Sequence, residues 1–163
     1  MKFVVDAMLG KVALWLRLTG NDTIYSTYLE DDDAIQIAMN EDRILLTSDE
    51  ALYSRACERG LDSMLVRGTV DDEVASVFHR YAIQAEVNPS TARCSKCNGE
   101  LEELTGNEIE RVKHLVFENT FNHYDIFWLC KDCDSVYFQG GYWENIENYM
   151  NRISEMIRGL EEH

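Results

Sequence analysis

The order of apolar and polar positions divides the chain into alternating strands and helices. Lys2-Phe3-Val4-Val5 reads as a short strand that stops at Asp6. From Met8 to Thr19, the residues Leu9, Val12, Ala13 and Leu16 recur at helical spacing, and Gly20 supplies the stop. Thr23-Ile24-Tyr25 reads as a second strand, and residues 31–40 as a helix with Ile35, Ala38 and Met39 on one face. Ile44-Leu45-Leu46-Thr47 is a third strand, followed by a helix from Asp49 to Arg59 that ends at Gly60. Ser63-Met64-Leu65-Val66 is a fourth strand and Val70 to Ile83 a fourth helix. Such alternation predicts an α/β fold: right-handed crossovers and a parallel sheet with helices on both faces.

The pattern changes near Asn88-Pro89-Ser90-Thr91. Beyond it, strand-like alternation, including His114-Leu115-Val116-Phe117 and Ile126-Phe127-Trp128-Leu129, separates two cysteine pairs. From Tyr142 to Glu161 the chain reads as an amphipathic helix with Ile146, Tyr149, Met150, Ile153 and Ile157 on one side. The predicted organisation is an α/β domain over residues 1–88 and a smaller unit over 89–163, with the amphipathic helix last.

The pairs Cys94-Ser95-Lys96-Cys97 and Cys130-Lys131-Asp132-Cys133 can each wrap a metal through a tight turn. Four thiolates match tetrahedral Zn²⁺. Asn98-Gly99 and Asp134-Ser135 are turn formers placed to close the two knuckles of a zinc ribbon. Disulfides and a redox pair are the competing readings, disfavoured in a reducing compartment and by the symmetry of the pairs. With all four positions filled by cysteine, the zinc is structural and leaves catalysis to other residues. Cys57, mid-helix, reads as a small buried apolar residue, and His79, His114, His123 and His163 show no ligand spacing.

Charge narrows the function. Acids outnumber bases 30 to 15, a formal net charge of −15, with two acids to each base in both halves of the chain. Neither half is a basic nucleic-acid module, so a polyanionic substrate needs metal ions or a local basic patch. No apolar run approaches the ~18 residues of a membrane span, and an aspartate at position 6 comes too early for a secretion signal. A cytoplasmic protein without a membrane partner is the expectation.

In a parallel sheet the carboxyl ends of the strands share one edge, where ligands bind. Asp6 ends the first strand, Asp49 follows the third, and Asp31 opens the helix after the second. Each aspartate alone is explained by helix capping. Three from remote segments at one edge repel one another unless a cation joins them, and hard oxygen donors suit Mg²⁺ or Mn²⁺. Asp32 and Asp33 remain alternatives to Asp31 as the second ligand. Such an ion activates water and offsets charge on a phosphodiester, alone or as one of two. Lys11 and Arg17, on the first helix, are candidates to hold phosphate oxygens, with a solvated helix face as the plainer reading. Thr47 and Ser48 fit either orientation of water or a carboxylate, or ordinary capping at a strand end.

The run from Phe3 through Ala13, Trp15-Leu16-Arg17-Leu18-Thr19-Gly20-Asn21-Asp22-Thr23, Arg43-Ile44-Leu45-Leu46-Thr47-Ser48-Asp49, Arg93-Cys94-Ser95-Lys96-Cys97-Asn98 and Cys130-Lys131-Asp132-Cys133 together resemble the Mut7-C ribonuclease domain. That family is a branch of the PIN-like nuclease fold with a carboxyl-terminal zinc ribbon. The resemblance covers nearly the whole chain. It implies a metal-dependent ribonuclease in which Asp6, Asp31 and Asp49 hold Mg²⁺ or Mn²⁺, and in which Lys11 and Arg17 occupy basic positions of the first motif. The chain departs from the pattern after the ribbon: where the family often has Gly-Ser-His-Trp, it has Gly140-Gly141-Tyr142-Trp143. Trp143 is expected to pack the last helix onto the ribbon.

The leading expectation is an endoribonuclease acting on single-stranded RNA, with Arg93, Lys96 and Lys131 of the ribbon contacting phosphates and aromatic rings stacking bases. The alternative is a non-catalytic zinc-ribbon module that binds RNA or a protein assembly, which the acidity and the Gly141-Tyr142 departure favour. A phospho-acceptor receiver wants two adjacent acids after the first strand, and Ala7-Met8 follow Asp6 instead. A ribosomal-RNA-maturing PIN nuclease with a zinc ribbon is a close cousin of the leading reading. The aromatic ribbon and the last helix leave room for a homo-oligomer or a protein partner.

Overall fold

The computed structural model describes residues 1–162; His163 lies outside the described residues. Four strands, β1 (Lys2–Val5), β2 (Asp22–Tyr25), β3 (Ile44–Thr47) and β4 (Ser63–Leu65), form a parallel sheet in the order β2-β1-β3-β4. The helices between them are α1 (Gly10–Leu18), α2 (Asp31–Glu41), α3 (Glu50–Glu58) and α4 (Val70–Arg80). Alternate side chains of the strands enter two separate cores, as period-two geometry requires. Phe3, Val5 and Leu46 pack against α1 and α4 on one face, while Val4 and Leu45 pack against Ala34 and Ile35 of α2 and Leu52 and Ala56 of α3 on the other. The fully apolar strands of the sequence are therefore buried on both sides.

The first helix begins later than its periodicity suggests. Ala7–Leu9 form a tight 3₁₀ turn capped by Asp6, and α1 proper starts at Gly10. A Cβ at position 10 would stand 2.8 Å from the Tyr25 hydroxyl, so glycine is what lets the end of β2 approach this turn. The fourth helix stops at Arg80 rather than Ile83, its start fixed by a reciprocal Thr69–Asp72 capping box.

The ribbon is an antiparallel sheet of β5 (Leu101–Thr105), β6 (Ile126–Cys130) and β7 (Val136–Tyr137), with β6 in the middle. Its small core is Leu104, Val112, Phe127 and Leu129. The segment His114–Phe117, read as strand-like, is a turn leading into α5 (Glu118–His123). Both edges of β6 are already paired, to β5 and β7, so this segment has no place beside it.

Helix α6 (Gly141–Glu161) returns to the first sheet. Ile146, Met150 and Ile153 are buried in the core shared with α1 and α4, and the Tyr149 ring stacks on Trp15 with centroids 4.3 Å apart. Trp143 also packs against this core rather than against the ribbon as expected, its indole N–H donating to Glu147. The helix thus adds its apolar side to the layer built by residues 1–88.

Candidate active site and metal centre

The chain leaves β1 toward β2 on one side and, after α2, crosses to β3 on the other, so the strand order reverses between β1 and β3. In open α/β sheets the crevice beyond such a reversal is where ligands bind. Asp6 and Asp49 follow those two strands. Asp6 is buried, and its Oδ1 accepts the Ala7 N–H at 2.8 Å as the cap of the 3₁₀ turn. Its Oδ2 accepts the Thr47 hydroxyl at 2.9 Å, a buried bond between the ends of β1 and β3. The same Thr47 oxygen accepts the Asp49 N–H at 3.0 Å. One hydroxyl therefore ties the first carboxylate to the loop that carries the third. Thr47 was legible only as a residue of two equal readings, because that tie depends on strand register.

Asp49 caps α3 through Oδ1, which accepts the Ala51 and Leu52 N–H groups at 2.8 and 3.2 Å. Both capping bonds fall on Oδ1. Asp31, the first residue of α2, is half-buried, whereas Asp32 and Asp33 are exposed and Asp32 pairs with Arg55. Burial, and then the charges of Asp6 and Asp49, push the Asp31 carboxyl above its ordinary value. Asp6, Asp31 and Asp49 have no ion-pair partner among the described residues. Their oxygens are more widely spaced than the cysteine sulfurs: among the described residues, only the four cysteines bring three or more ligand atoms within 4.8 Å of one another. By donor type the three carboxylates suit a hard ion such as Mg²⁺ or Mn²⁺, and by spacing they are not drawn together as the thiols are.

Cys94, Cys97, Cys130 and Cys133 come together at the tips of the ribbon, with Cys94–Cys133 and Cys97–Cys130 sulfurs 3.6 and 3.4 Å apart. Burial and the neighbouring thiols push the Cys97 thiol up to about 12, a crowding that a divalent cation relieves by taking four thiolates. The donor set fits Zn²⁺. The Tyr137 hydroxyl lies 3.1 Å from Cys94 Sγ and accepts the Ser95 N–H at 3.0 Å, and the Ser135 hydroxyl lies 3.1 Å from Cys133 Sγ. A Cβ on Gly99 would stand 2.8 Å from Cys130 Sγ, so the second turn former is also a spacing requirement. Cys57, by contrast, is exposed rather than buried; only its neighbour Ala56 reaches the core.

The basic candidates separate. Arg17 is buried, and its Nε donates to the Thr23 carbonyl at 3.0 Å and its Nη1 to the Ser95 carbonyl at 3.1 Å. It joins α1, the edge strand β2 and the first cysteine turn, and burial lowers its pKa against the pull of Cys94 and Cys97. Arg93 donates to the Asn98 carbonyl at 2.9 Å, closing the knuckle. Lys131 is exposed and 4.0 Å from Glu100, and Lys11 and Lys96 are exposed. The sequence did not single out Asn98 beyond its turn propensity. Its side chain accepts the Thr23 N–H at 2.9 Å and donates to Asp22 at 2.7 Å, where Arg43 also donates at 3.0 Å. The ribbon is thereby fastened to the open edge of the parallel sheet.

The family model of the Mut7-C RNAse domain matches residues 1–150. Neither the curated proteins nor the solved structures compared with the chain gave a match. Opening motif, third acidic motif and both cysteine pairs all fall inside the matched span. The chain belongs to the Mut7-C RNAse domain family.

Proposed function

We propose that the protein is a PIN-like, metal-dependent endoribonuclease that cleaves single-stranded RNA in the reducing cytoplasm, where the four thiols stay available to structural zinc. The observation that carries this reading is the Thr47 hydroxyl joining Asp6 to the Asp49 loop at the strand-order reversal, with Asp31 pushed up by burial and then by both charges. Asp6, Asp31 and Asp49 would hold Mg²⁺ or Mn²⁺. When bound, that ion supplies a water of lowered pKa and offsets charge on the phosphodiester. Thr47 fixes the Asp6 carboxylate so that its direction does not depend on the ion. Helix α3 holds Asp49 through its cap. Lys11, exposed on α1 in the turn that follows Asp6, is assigned to a phosphate oxygen.

Labelled RNA incubated with Mg²⁺, Mn²⁺ or chelator tests this. Cleavage requires the ion and falls by at least about a thousandfold in Asp6→Asn and Asp49→Asn. Asparagine preserves an N-cap, so the loss at position 49 reports chemistry rather than a melted helix. Divalent-independent RNA binding with no cleavage would instead make the protein a non-catalytic zinc-ribbon module, the reading that the wider spacing of the acids favours.

A further inference from the structure

Two clefts meet on the side of the molecule where the ribbon touches the parallel sheet. The first, of about 450 Å³, lies between α1 and the segment after β2, bordered by Gly10, Arg17, Tyr25 and Tyr28. The second, of about 630 Å³, lies on the ribbon between Phe117, Phe138 and Tyr142. Ser95 and Lys96 line both, so the two clefts adjoin at the first cysteine turn. Ser26, Thr27 and Tyr28 of the inner cleft belong to the connection from β2 to α2, the helix that Asp31 opens.

The lining is unusual for this chain. Acids outnumber bases 30 to 15 overall, yet the inner cleft is lined by Arg17 and Lys96 and by no carboxylate. Three aromatic rings stand open along the path: Tyr28 is 89 % exposed, Phe117 85 % and Tyr142 62 %. Phe117 sits at the start of the short helix α5 and Tyr142 in the first turn of α6, so rigid backbone presents both rings to water. Flat faces spaced along a groove whose inner cleft has Lys96 and no carboxylate, and whose outer cleft has Asp134 as its one carboxylate, suit a flexible strand with unpaired bases, because bases stack on aromatic rings while lysine meets the backbone. A duplex keeps its base faces covered and cannot use them.

We propose that this groove is the track of single-stranded RNA, running from the acid edge past Tyr28 and Lys96 to base-stacking positions on Phe117 and Tyr142. The track rests on the ribonuclease reading and specifies its substrate as an unpaired strand that extends onto the ribbon.

The test uses the full-length, zinc-loaded protein and a fluorescent single strand of about 12 nucleotides, with Ca²⁺ for binding and Mg²⁺ or Mn²⁺ for turnover. Phe117→Ala and Tyr142→Ala each weaken binding by about tenfold, raise KM and leave kcat near wild type; Phe117→Trp keeps wild-type binding and Phe117→Leu does not. Lys96→Glu weakens binding in a salt-dependent manner, and a blunt RNA duplex of the same length shows no effect of the aromatic variants. Zinc content and the melting transition stay unchanged, because both rings are exposed. Failure of the wild-type chain to bind the single strand overturns the track, as does wild-type binding by the double alanine variant. A wild-type dimer that the double variant converts to monomer, with RNA affinity intact, also overturns it and assigns the groove to a second copy of the chain. Loss of binding in the variants without cleavage in any chain leaves the track standing and removes the nuclease, whereas cleavage with equal kcat/KM in all chains does the reverse.

Discussion

Thr47 is the residue on which the acid edge turns. It is fully buried and uses its oxygen twice, donating to Asp6 and accepting from the Asp49 backbone. Thr47→Val keeps the shape and leaves a buried carboxylate oxygen and an N–H unpaired, which costs about 1–3 kcal/mol. Urea melts should show that loss, and the cleavage rate should fall with it, while Thr47→Ser restores both. Asp31 carries a second expectation with its own sign. Its folded pKa is raised, so the folded chain holds a proton over a range where the unfolded chain has already released it. Stability therefore declines as pH climbs through the range above the ordinary carboxylate value, and the whole penalty is present at neutral pH. Melts of the Mg²⁺- and Mn²⁺-free protein between about pH 4 and 7 should show this slope in the wild type and a flatter one in Asp31→Asn. A profile unchanged by the substitution would remove the reason to place Asp31 with the other two acids. These residues were unevenly legible. An acid at the end of an apolar strand is visible in a sequence, but the partner of Asp6 lies 41 positions away, and only register shows it.

Elements of regular period were legible, and the irregular connections between them were not. Strands β1 and β3 and helices α2 and α3 fall within a residue or two of where alternation puts them, because burial on two faces leaves no freedom of register. The turn at His114–Phe117 was misread because its alternation matches a strand, and what denied it that role was the saturation of β6 by two partners. The seam between ribbon and sheet was equally hidden, since Asn98 there does for the edge of β2 what another strand would do. Asn98→Ala removes its bonds to Thr23 and Asp22 and should cost about 1–3 kcal/mol while zinc stays bound. Limited proteolysis would then cut the 83–92 segment faster than in the wild type. Burial pushes the Asp22 carboxyl up, but the hydrogen bonds from Arg43 and Asn98 outweigh it and hold the group below its usual value. Its contribution is therefore full at neutral pH and is lost as pH falls through that lowered value. Asp22→Asn should flatten this acid limb of the seam. Helix α6 works in the opposite direction, returning past the ribbon to the first core. Ile153 is fully buried there, and Ile153→Ala should lower stability by about 2–5 kcal/mol.

At the scale of the whole molecule, a chain of net charge −15 that acts on RNA sets a problem in electrostatics. Proteins that hold nucleic acid by charge alone spread many lysines and arginines over the backbone and lose affinity steeply as salt rises. Here two of the five basic candidates, Arg17 and Arg93, donate to backbone carbonyls of the seam and the knuckle, and Lys131 lies against Glu100. That leaves Lys11 and Lys96 as the exposed bases along the proposed path. Two phosphate contacts on a single strand give a slope of log affinity against log salt of about −1.4. Fluorescence anisotropy over a range of KCl, at fixed divalent ion, should return a slope between about −1 and −2, and loss of the Lys96 contact in Lys96→Glu should bring it to about −0.7 or shallower. Affinity should depend far more on the divalent ion, since Lys11 is the single basic candidate assigned beside the acids to offset their repulsion of the phosphates. A slope steeper than about −4 would mean a broad basic footprint that this surface does not have, and would count against both the acid edge and the groove as the place where RNA lies.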